Sequence, residues 1–298
     1  MKRTLLLHNP NAGDADHYPT DLITAIENEG YTCTYYSIKK NDTWKEQLGE
    51  ADLLVVAGGD GTVRKVVNVL FDQGMANKQT TMALLPRGTA NNLSKTLSID
   101  KDSSLEEQVA HWKREKRQRF DLGILSYPGH TDIFLEGAGY GVFPALIQTM
   151  ENVAVDHLEA EEQLQLALEK LVQLMQTATA EEYHIEVDGK THQGRYLLLE
   201  TLNIPFIGPN LQLAPGAQID DGYLDLVTIA ESERDAFITH LHKILRQEKT
   251  TFDFQTLRGK SFTIQSANKN IHLDDQYLTL PTDSLTITLQ QHVLDFLV

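Results

Sequence analysis

The chain of 298 residues has few of the features that mark secreted or membrane-spanning proteins. Cys33 is its only cysteine, which excludes an internal disulfide and a cluster of thiolate metal ligands. No apolar run approaches the roughly 20 residues that a membrane-spanning helix needs. The short run near the N-terminus ends at His8 and Asn9, too early for a secretion signal. We therefore expect a cytoplasmic protein.

Positive charge is also scarce, because 26 lysines and arginines stand against 42 aspartates and glutamates, for a formal net charge of −16. This balance argues against nucleic acid as a partner, since binding to a phosphate backbone requires a basic surface. It also argues against broad electrostatic adhesion to anionic membranes. The basic stretch 113–119 is a local exception. It is either a solvated helix end or a small positive patch for phosphate or lipid headgroups.

Residues 1–117 alternate between apolar strands and helical patterns. The strands are mainly continuous apolar runs, which indicate burial on both faces of a parallel sheet with helices on either side. The predicted elements are strands at 3–9, 31–38, 51–58 and 80–86, and helices at 18–30, 41–50 and 62–74. We therefore predict an α/β domain at 1–117. The C-terminal tail of the chain is a candidate for a further part of this domain.

After about residue 117 the pattern changes to short strands, many of which alternate between apolar and polar residues. Asp188-Gly189 is typical of a hairpin turn, and "NIHLDDQ", residues 270–276, has the pattern of a single strand. Two helical segments interrupt the series, at 156–179 and 231–246. We predict a mostly β, sandwich-like domain at 118–298.

Three glycines in four positions, Gly58, Gly59 and Gly61, follow a buried strand. Such a run lets the backbone approach a ligand closely, and its amides with the start of the next helix make a site for phosphate. Asp60 lies among these amides, where a carboxylate would repel a nucleotide unless a cation such as Mg²⁺ intervenes. Alternatively, the segment is a tight strand–helix turn with Asp60 as the N-cap.

Two further strands end in similar loops. "LLPRGTANNL", residues 84–93, places Gly88 and Thr89 before a helix that Asn91 or Asn92 begins. "HNPNAG", residues 8–13, follows the first strand. Loops after neighbouring parallel strands face one crevice. Three polar, glycine-bearing loops at strand ends therefore favour a nucleotide site over three unrelated turns.

Five motifs in this order resemble the diacylglycerol kinase catalytic-domain family, which includes bacterial soluble lipid kinases, sphingosine kinases and ceramide kinases. The motifs are Asn9-Pro10-x-Ala12-Gly13, Gly58-Gly59-Asp60-Gly61-Thr62, Pro86-x-Gly88-Thr89-x-Asn91, "FDLG" at 120–123 and "LAPGAQIDDGYLDLV" at 213–227. The resemblance covers nearly the whole chain. The second motif alone is also similar to NAD kinases, so the assignment depends on the order and spacing of all five.

The resemblance implies a set of site residues. It places ATP against Ser37, Gly58, Gly59, Asp60, Gly61, Thr62, Val63, Gly88, Thr89 and Asn91. It makes Asp274 the general base and gives Asp60 a catalytic role. It also implies a structural Mg²⁺ bound by Asp221 and the backbone carbonyls of Gln218 and Tyr223. By itself, Asp220-Asp221-Gly222 is equally typical of a simple turn.

Several positions depart from the family pattern: Arg64 and Lys65 replace an Asn-Glu pair, Asn92 and Phe143 replace acids, and Asp275-Gln276 replaces Gly-Glu. Arg64 and Lys65 are either exposed on the first helical turn or add positive charge beside the phosphates. Asp275, on a predicted strand, should point to the opposite face from Asp274. Gln276 carries no charge. These departures put the activity or the substrate in doubt.

The resemblance implies an ATP- and Mg²⁺-dependent lipid kinase of phospholipid metabolism that phosphorylates diacylglycerol or a related lipid alcohol. The expected partner is lipid, met by transient contact with the membrane surface, and a homodimer is a further candidate. Apolar residues at 143–147 are either an acyl pocket or core. One alternative is a lipid- or nucleotide-binding protein with weak or no kinase activity. NAD kinase is a weaker alternative, because the third and fifth motifs favour the lipid branch.

Overall fold

A computed structural model describes residues 2–40, 42–75, 80–155 and 157–298. Asn41 and Asp156, the first residues of two predicted helices, lie outside the described residues, as do residues 1 and 76–79. The chain divides into two compact units. The first comprises the residues up to Asp121 together with Gln291–Val298, and the second comprises Leu122–Gln290. The C-terminal tail therefore belongs to the first unit.

The first unit is built on a parallel sheet whose strands are β1 (Arg3–His8), β2 (Thr32–Ser37), β3 (Leu53–Gly58), β4 (Thr80–Pro86) and the end of β17 (Ser284–Leu297). Their order in the sheet is β17–β4–β3–β1–β2. Its helices are α1 (Pro19–Asn28), α2 (Asp60–Asp72), α3 (Asn92–Thr96) and α4 (Leu105–His111). All six residues of β3 are buried, which is the reason for its continuous apolar sequence. The predicted α/β domain is confirmed.

One predicted helix of the first unit takes a different form. Residues Thr43–Glu50 form a 3-10 helix that buries Trp44 and Leu48, where the sequence favours an α-helix. At eight residues this is longer than most 3-10 helices, which usually serve as short connectors. A second 3-10 segment, Trp112–Arg114, precedes β5 (Arg117–Tyr127), the strand along which the chain leaves the first unit.

The second unit is mostly antiparallel β-structure, as the sequence predicts. Its strands include β6 (His130–Phe134), β7 (Gly137–Gly141), β8 (Glu181–Val187), β9 (Lys190–Leu202), β10 (Phe206–Ile207), β11 (Leu211–Gln212), β12 (Leu224–Ala230), β13 (Gln255–Gly259), β14 (Ser261–Gln265), β15 (Asn270–Leu273) and β16 (Gln276–Thr279). Its helices are α5 (Val142–Glu151), α6 (Ala160–Thr177) and α7 (Arg234–Leu245). The central strand order is β16–β15–β7–β9–β8–β14–β17.

Two hydrophobic clusters of the described residues stabilise the second unit. One lies beneath α5, α6 and α7 and contains Phe143 and Leu146 from α5. These two residues of the 143–147 segment are therefore core residues. The other core lies among the strands, where β8 alternates buried and exposed residues. Among the described residues, no helix is both long and apolar enough to cross a membrane.

Two turns of the second unit bear on the predictions. Asp188-Gly189 joins β8 to β9 as the sequence predicts. Residues 270–276, by contrast, are not one strand, because Asp274-Asp275 forms a two-residue turn in which Leu273 pairs with Gln276. The predicted alternation of Asp274 and Asp275 along a strand is therefore wrong. Asp274 is nevertheless buried and Asp275 exposed, and Asp274 adopts a left-handed φ of 53° in the turn.

Candidate functional site

Three loops meet at the carboxyl edge of the parallel sheet in the first unit; we call residues 9–13, 58–62 and 86–91 the glycine loops. The amide of Asn9 donates to the carbonyl of Ala57 at 2.9 Å, and its side-chain amide donates to Thr62 Oγ1 at 3.2 Å. The amide of Arg87 donates to the carbonyl of Gly58 at 3.0 Å. The glycine loops therefore form one hydrogen-bonded structure.

Close backbone contacts explain several of the glycines. A Cβ atom on Gly59 would lie 2.9 Å from the Cα of Gly88, and a Cβ on Gly88 would lie 2.3 Å from the Cα of Gly59. Gly13 has a φ of 53°, and a Cβ there would lie 2.5 Å from the carbonyl oxygen of Arg87. Larger residues do not fit at these distances. These glycines thus allow the loops to approach one another.

Asp60 links the second glycine loop to the third. It is the first residue of α2, whose N-cap is Gly59. Its carboxylate accepts hydrogen bonds from the amide of Asn92 at 2.9 Å and from the amide of Leu93 at 3.0 Å. These are the first amides of α3, so Asp60 caps that helix, and not its own as one interpretation of the sequence held. A negative charge is favourable at this end of a helix.

Asn91 closes the third glycine loop. It lies at the N-cap of α3 with φ 53° and ψ 43°, a left-handed conformation that asparagine tolerates better than most residues. Its Oδ1 accepts from the amide of Gly88 at 2.9 Å, and its Nδ2 donates to the carbonyl of Gly88 at 2.6 Å. The side chain thereby fixes the position of Gly88.

The predicted nucleotide-binding residues fall into two groups by exposure. Those exposed or half-buried are Gly59, Asp60, Gly61, Gly88 and Thr89. Those buried are Ser37, Gly58, Thr62, Val63 and Asn91. Nine of the ten lie in or directly after the second and third glycine loops, and Ser37 ends the neighbouring strand β2, opposite His8. The first group can contact a ligand directly, whereas the second group is buried within the loops and the end of β2.

Arg64 and Lys65 behave differently on α2. Arg64 is only 3% exposed, so the expectation that both residues lie on the surface is wrong for Arg64. Lys65 is exposed, and its Nζ donates to the carbonyl of Ile38 at 3.0 Å. Lys65 thus connects the first turns of α2 to the end of β2, beside Ser37.

A histidine pair supports the first glycine loop and was missed in the sequence. The buried Nε2 of His8 lies 2.7 Å from Nδ1 of His17, and His8 Nδ1 lies 3.1 Å from the hydroxyl of Tyr35. His17 Nε2 lies 3.0 Å from the carbonyl oxygen of Ala12. Burial, with the neighbouring His17 and Arg87, lowers the pKa of His8 to about 4. His8 is therefore neutral near pH 7.

In the second unit, Asp274 faces a row of main-chain amides. Its Oδ1 accepts from the amides of Leu135, Glu136 and Gly137 at 3.2, 2.8 and 3.1 Å, and its Oδ2 accepts from Leu135 at 3.0 Å. Its own amide donates to the carbonyl of Gly137 at 2.8 Å. Asp274 is 8% exposed. Residues 135–137, where β6 is joined to β7, therefore bind both the main chain and the carboxylate of Asp274.

A buried ionisable pair lies beside Asp274, and sequence analysis missed it. His272 Nε2 is 2.6 Å from Glu200 Oε2, and His272 Nδ1 is 2.9 Å from the carbonyl oxygen of Asp274. Burial raises the pKa of Glu200, and His272 offsets part of that rise. Burial alone would lower the pKa of His272, but the Glu200 carboxylate raises it above its ordinary value. The sequence offered one signal for this pair, a glycine inside strand β7. Gly139 lies between Glu200 and His272, and glycine within a strand often marks a close approach of neighbouring groups.

In the loop that is predicted to bind Mg²⁺, the Asp221 carboxylate is paired with the side chain of Arg258. The Asp221 carboxylate accepts from the amide of Tyr223 at 3.0 Å and forms an ion pair with Arg258. The guanidinium carbon of Arg258 lies 4.7 Å from the ring centroid of Tyr223, and the Nζ of Lys260 lies 4.9 Å from it. A divalent ion at Asp221 would have to displace the guanidinium of Arg258. These residues therefore do not fit a resident Mg²⁺.

The prediction of metal ligands at Gln218, Asp221 and Tyr223 is thus not supported by the side chains around them. Over the described ranges, no group of three or more histidines, cysteines or acidic residues could hold a metal ion. The contact between Arg258 and Asp221 could not be predicted from the sequence. The two residues lie 37 positions apart, and the pairing of β12 with β13 brings them together.

The basic stretch 113–119 is partly neutralised within the first unit. Lys113 pairs with Glu29, and Arg117 lies 3.7 Å from Asp295. Arg114, Lys116 and Arg119 are exposed. The stretch is therefore closer to a solvated helix end than to a concentrated positive patch.

Known structures and sequences resemble the whole chain. A diacylglycerol kinase from Bacillus anthracis str. Sterne has a TM-score of 0.72 at 21% identity, covering 99% of this chain and 96% of that one. An NAD kinase from Archaeoglobus fulgidus has a TM-score of 0.53 at 12% identity, covering 99% of this chain and 93% of that one. At these identities the likeness shows the fold alone.

A diacylglycerol kinase of Bacillus subtilis strain 168 is 27% identical in an alignment of length 293 that includes gaps, and the match covers 93% of this chain and 90% of that protein. Residues 3–125 match the diacylglycerol kinase catalytic domain. Residues 144–281 match the YegS C-terminal NAD kinase beta sandwich-like domain. Because the two matches follow one another along a chain whose glycine loops meet at one sheet edge, the chain is similar to the diacylglycerol kinase family over most of its length.

Proposed function

We propose that this protein is a lipid kinase that transfers the γ-phosphoryl group of ATP, bound as its magnesium complex, to the hydroxyl of diacylglycerol or a related lipid alcohol. The observation that carries the proposal is the meeting of the three glycine loops at the carboxyl edge of β1, β3 and β4. The diacylglycerol kinase relatives support the choice of acceptor.

The first turn of α2 is the proposed phosphate site. The carbonyl of its N-cap Gly59 accepts from the amides of Thr62 and Val63 at 2.9 and 3.2 Å, so we assign phosphate binding to the amide of Gly61, which precedes them in this 13-residue helix. Gly61 is exposed there. Amides at a helix N-terminus attract phosphate through both hydrogen bonding and the helix dipole. Phosphoryl transfer needs mainly such positioning and charge stabilisation, because the protein does little covalent chemistry.

Asp274 is the proposed base for the acceptor hydroxyl. Its carboxylate is held by the amides of residues 135–137, so its position relative to an incoming hydroxyl is fixed. Amide donors stabilise a carboxylate in its charged form, which makes it a weak base. A weak base is sufficient for a loose phosphoryl-transfer transition state, since the attacking oxygen needs little activation. Asp274 would then act chiefly by orienting the hydroxyl.

A lipid as the phosphoryl acceptor implies that the protein acts at a membrane surface. We propose a cytoplasmic enzyme of phospholipid metabolism that meets its lipid by brief contact with the membrane surface. With a net charge of −16, it would approach that surface without broad electrostatic attraction. A homodimer is part of the same proposal.

A lipid panel with labelled ATP and Mg²⁺ tests the proposal. We expect a labelled phospholipid from diacylglycerol or a close analogue, and loss of that product by orders of magnitude in Asp274→Asn. Asp275→Asn is the matched control, because Asp275 is the exposed neighbour in the same turn. Binding of ATP without product on any lipid would favour the binding-protein alternative. Product from NAD would favour NAD kinase.

A further inference from the structure

Glu200, Gly139 and His272 form one row across three neighbouring strands of the second unit. Gly139 on β7 is in register with Glu200 on β9 and with His272 on β15. A Cβ atom on Gly139 would lie 2.1 Å from Glu200 Oε2, so any side chain there would displace the carboxylate. Because the middle position is glycine, the outer side chains meet above it at 2.6 Å. Glu200 is 0% and His272 1% exposed.

The hydrogen bonds determine how many protons this pair holds. The carbonyl of Asp274 can only accept, so His272 Nδ1 carries a proton that it donates there. A second proton must lie between Nε2 and Glu200, because two lone pairs would repel at 2.6 Å. The pair is then neutral overall, whichever group carries that proton. Burial favours this neutral state, and the pKa values of both groups are raised.

Asp274 has a left-handed φ of 53°, which aspartate tolerates better than most residues but which is still less favourable than the right-handed region. Such conformations persist where surrounding contacts determine them. Three groups of Asp274 are held: its amide by the carbonyl of Gly137, its carboxylate by the amides of 135–137, and its carbonyl by His272. Glu200 in turn fixes the orientation of the His272 ring.

We propose that Glu200 and His272 are positioning residues that hold the Asp274 turn in the geometry needed to orient the acceptor hydroxyl. The inference rests on the proposed function, in which Asp274 acts on that hydroxyl. The titratable neighbours are Tyr183 on β8 and Asp274 itself, and Phe143 of α5 covers the imidazole at a ring distance of 5.9 Å. The proton shared by Glu200 and His272 is lost at high pH, so the contact between these two side chains depends on pH.

The decisive variant removes both partners, as Glu200→Leu with His272→Leu. A single removal would leave a buried ionisable group without its partner and could unfold the unit, whereas removing both avoids that cost. We expect the double variant to fold and to bind ATP as the wild type does. Its kcat for lipid should fall about 10- to 100-fold with little change in KM, as for a misplaced catalytic group. Hydrogen exchange at the amides of 135–137 should become faster.

Glu200→Gln separates proton sharing from hydrogen bonding. The amide can donate to Nε2 of a neutral imidazole and so preserve the bond from Nδ1 to Asp274. We expect kcat near that of wild type at neutral pH. In the wild type, activity should fall as pH rises through the raised pKa values of the pair, because loss of the shared proton breaks the 2.6 Å contact. Glu200→Gln should lose that alkaline fall.

His240→Leu is the matched control, because His240 is another buried imidazole of this unit and bonds to Thr250 Oγ1 at 3.1 Å. It should lower stability without changing the alkaline fall or exchange at 135–137. A double variant with wild-type kcat and wild-type exchange would overturn the proposal. If the wild type phosphorylates no lipid, the proposed function fails. Hydrogen exchange at the amides of 135–137 is then the remaining test. Faster exchange in the double variant supports the positioning of the Asp274 turn by Glu200 and His272, and unchanged exchange overturns that proposal.

Discussion

Among single residues, the carboxylates that resemble catalytic groups also support the main chain. Asp60 accepts from amides 32 and 33 residues away, and Asp274 accepts from amides 137 to 139 residues away. Each carboxylate thus joins two distant segments. Substitution of either one changes the geometry as well as the charge, so a loss of activity has to be separated from a loss of structure.

Asp60→Ala illustrates the separation. The variant should lower the free energy of unfolding by about 1 kcal/mol, because the first amides of α3 lose their acceptor. If Asp60 also takes part in phosphoryl transfer, turnover should be abolished while the fold remains. Asp60→Asn is the control, because it keeps one acceptor oxygen and should recover part of the stability without the activity. Denaturant titration and the lipid kinase assay measure the two effects. An alanine variant with wild-type turnover would remove Asp60 from the active site.

At the scale of elements, the glycine loops are held by backbone contacts that allow no side chain. The second and third loops touch at Gly59 and Gly88, and the first contacts the third at Gly13. Neighbouring strands bring the loops together, and the glycines determine how closely they approach. The shape of the proposed phosphate site therefore depends on loop-to-loop packing as well as on the residues that would contact ATP.

Gly88→Ala tests this packing. Its Cβ would lie 2.3 Å from the Cα of Gly59, so the loops would have to separate. We expect a loss of roughly 1–3 kcal/mol in unfolding free energy, typical of overpacking, and a weaker affinity for ATP measured by calorimetry. Gly216→Ala is the control, because nothing lies within 4 Å of a Cβ there. Unchanged ATP affinity in Gly88→Ala would show that the loop contact does not shape the nucleotide site.

The loop at 218–223 is held by Arg258 in place of a metal ion. Chelation with EDTA should therefore leave the melting temperature of the protein without nucleotide unchanged. Arg258→Ala should cost a few tenths to about 1 kcal/mol, the usual range for a partly exposed ion pair. Arg246→Ala, which removes an ion pair on the surface after α7, is the matched control. Stoichiometric magnesium in the purified protein, together with a lower melting temperature after chelation, would contradict this account.

At the scale of the whole molecule, a strongly acidic chain folds into two units whose stability depends on pH. His8 is one source of that dependence. Its pKa is lowered to about 4 by burial, with His17 and Arg87 as further causes, whereas an unfolded histidine titrates near pH 6.5. The unfolded chain therefore takes up a proton that the folded state resists. The contribution of His8 to stability is complete above about pH 6.5 and is lost as pH falls toward 4.

His8→Gln should remove this component, because glutamine does not titrate. The wild type should lose roughly 1–3 kcal/mol of unfolding free energy through His8 between pH 6.5 and 4, by linkage. The variant should lose correspondingly less over the same range in denaturant titrations. His184→Gln is the control at an exposed histidine. Equal pH dependence in wild type and His8→Gln would show that His8 does not contribute.

The sequence by itself determined the class of fold and the position of the glycine loops. Continuous apolar strands indicated a parallel sheet, and alternating strands indicated the β domain, because burial on one or two faces imposes these patterns locally. The tertiary structure decided what each polar group contacts. Arg258 meets Asp221, Glu200 meets His272 above Gly139, and Asp60 caps α3. These partners lie 32 or more residues apart, and only strand pairing and helix packing bring them within hydrogen-bonding distance.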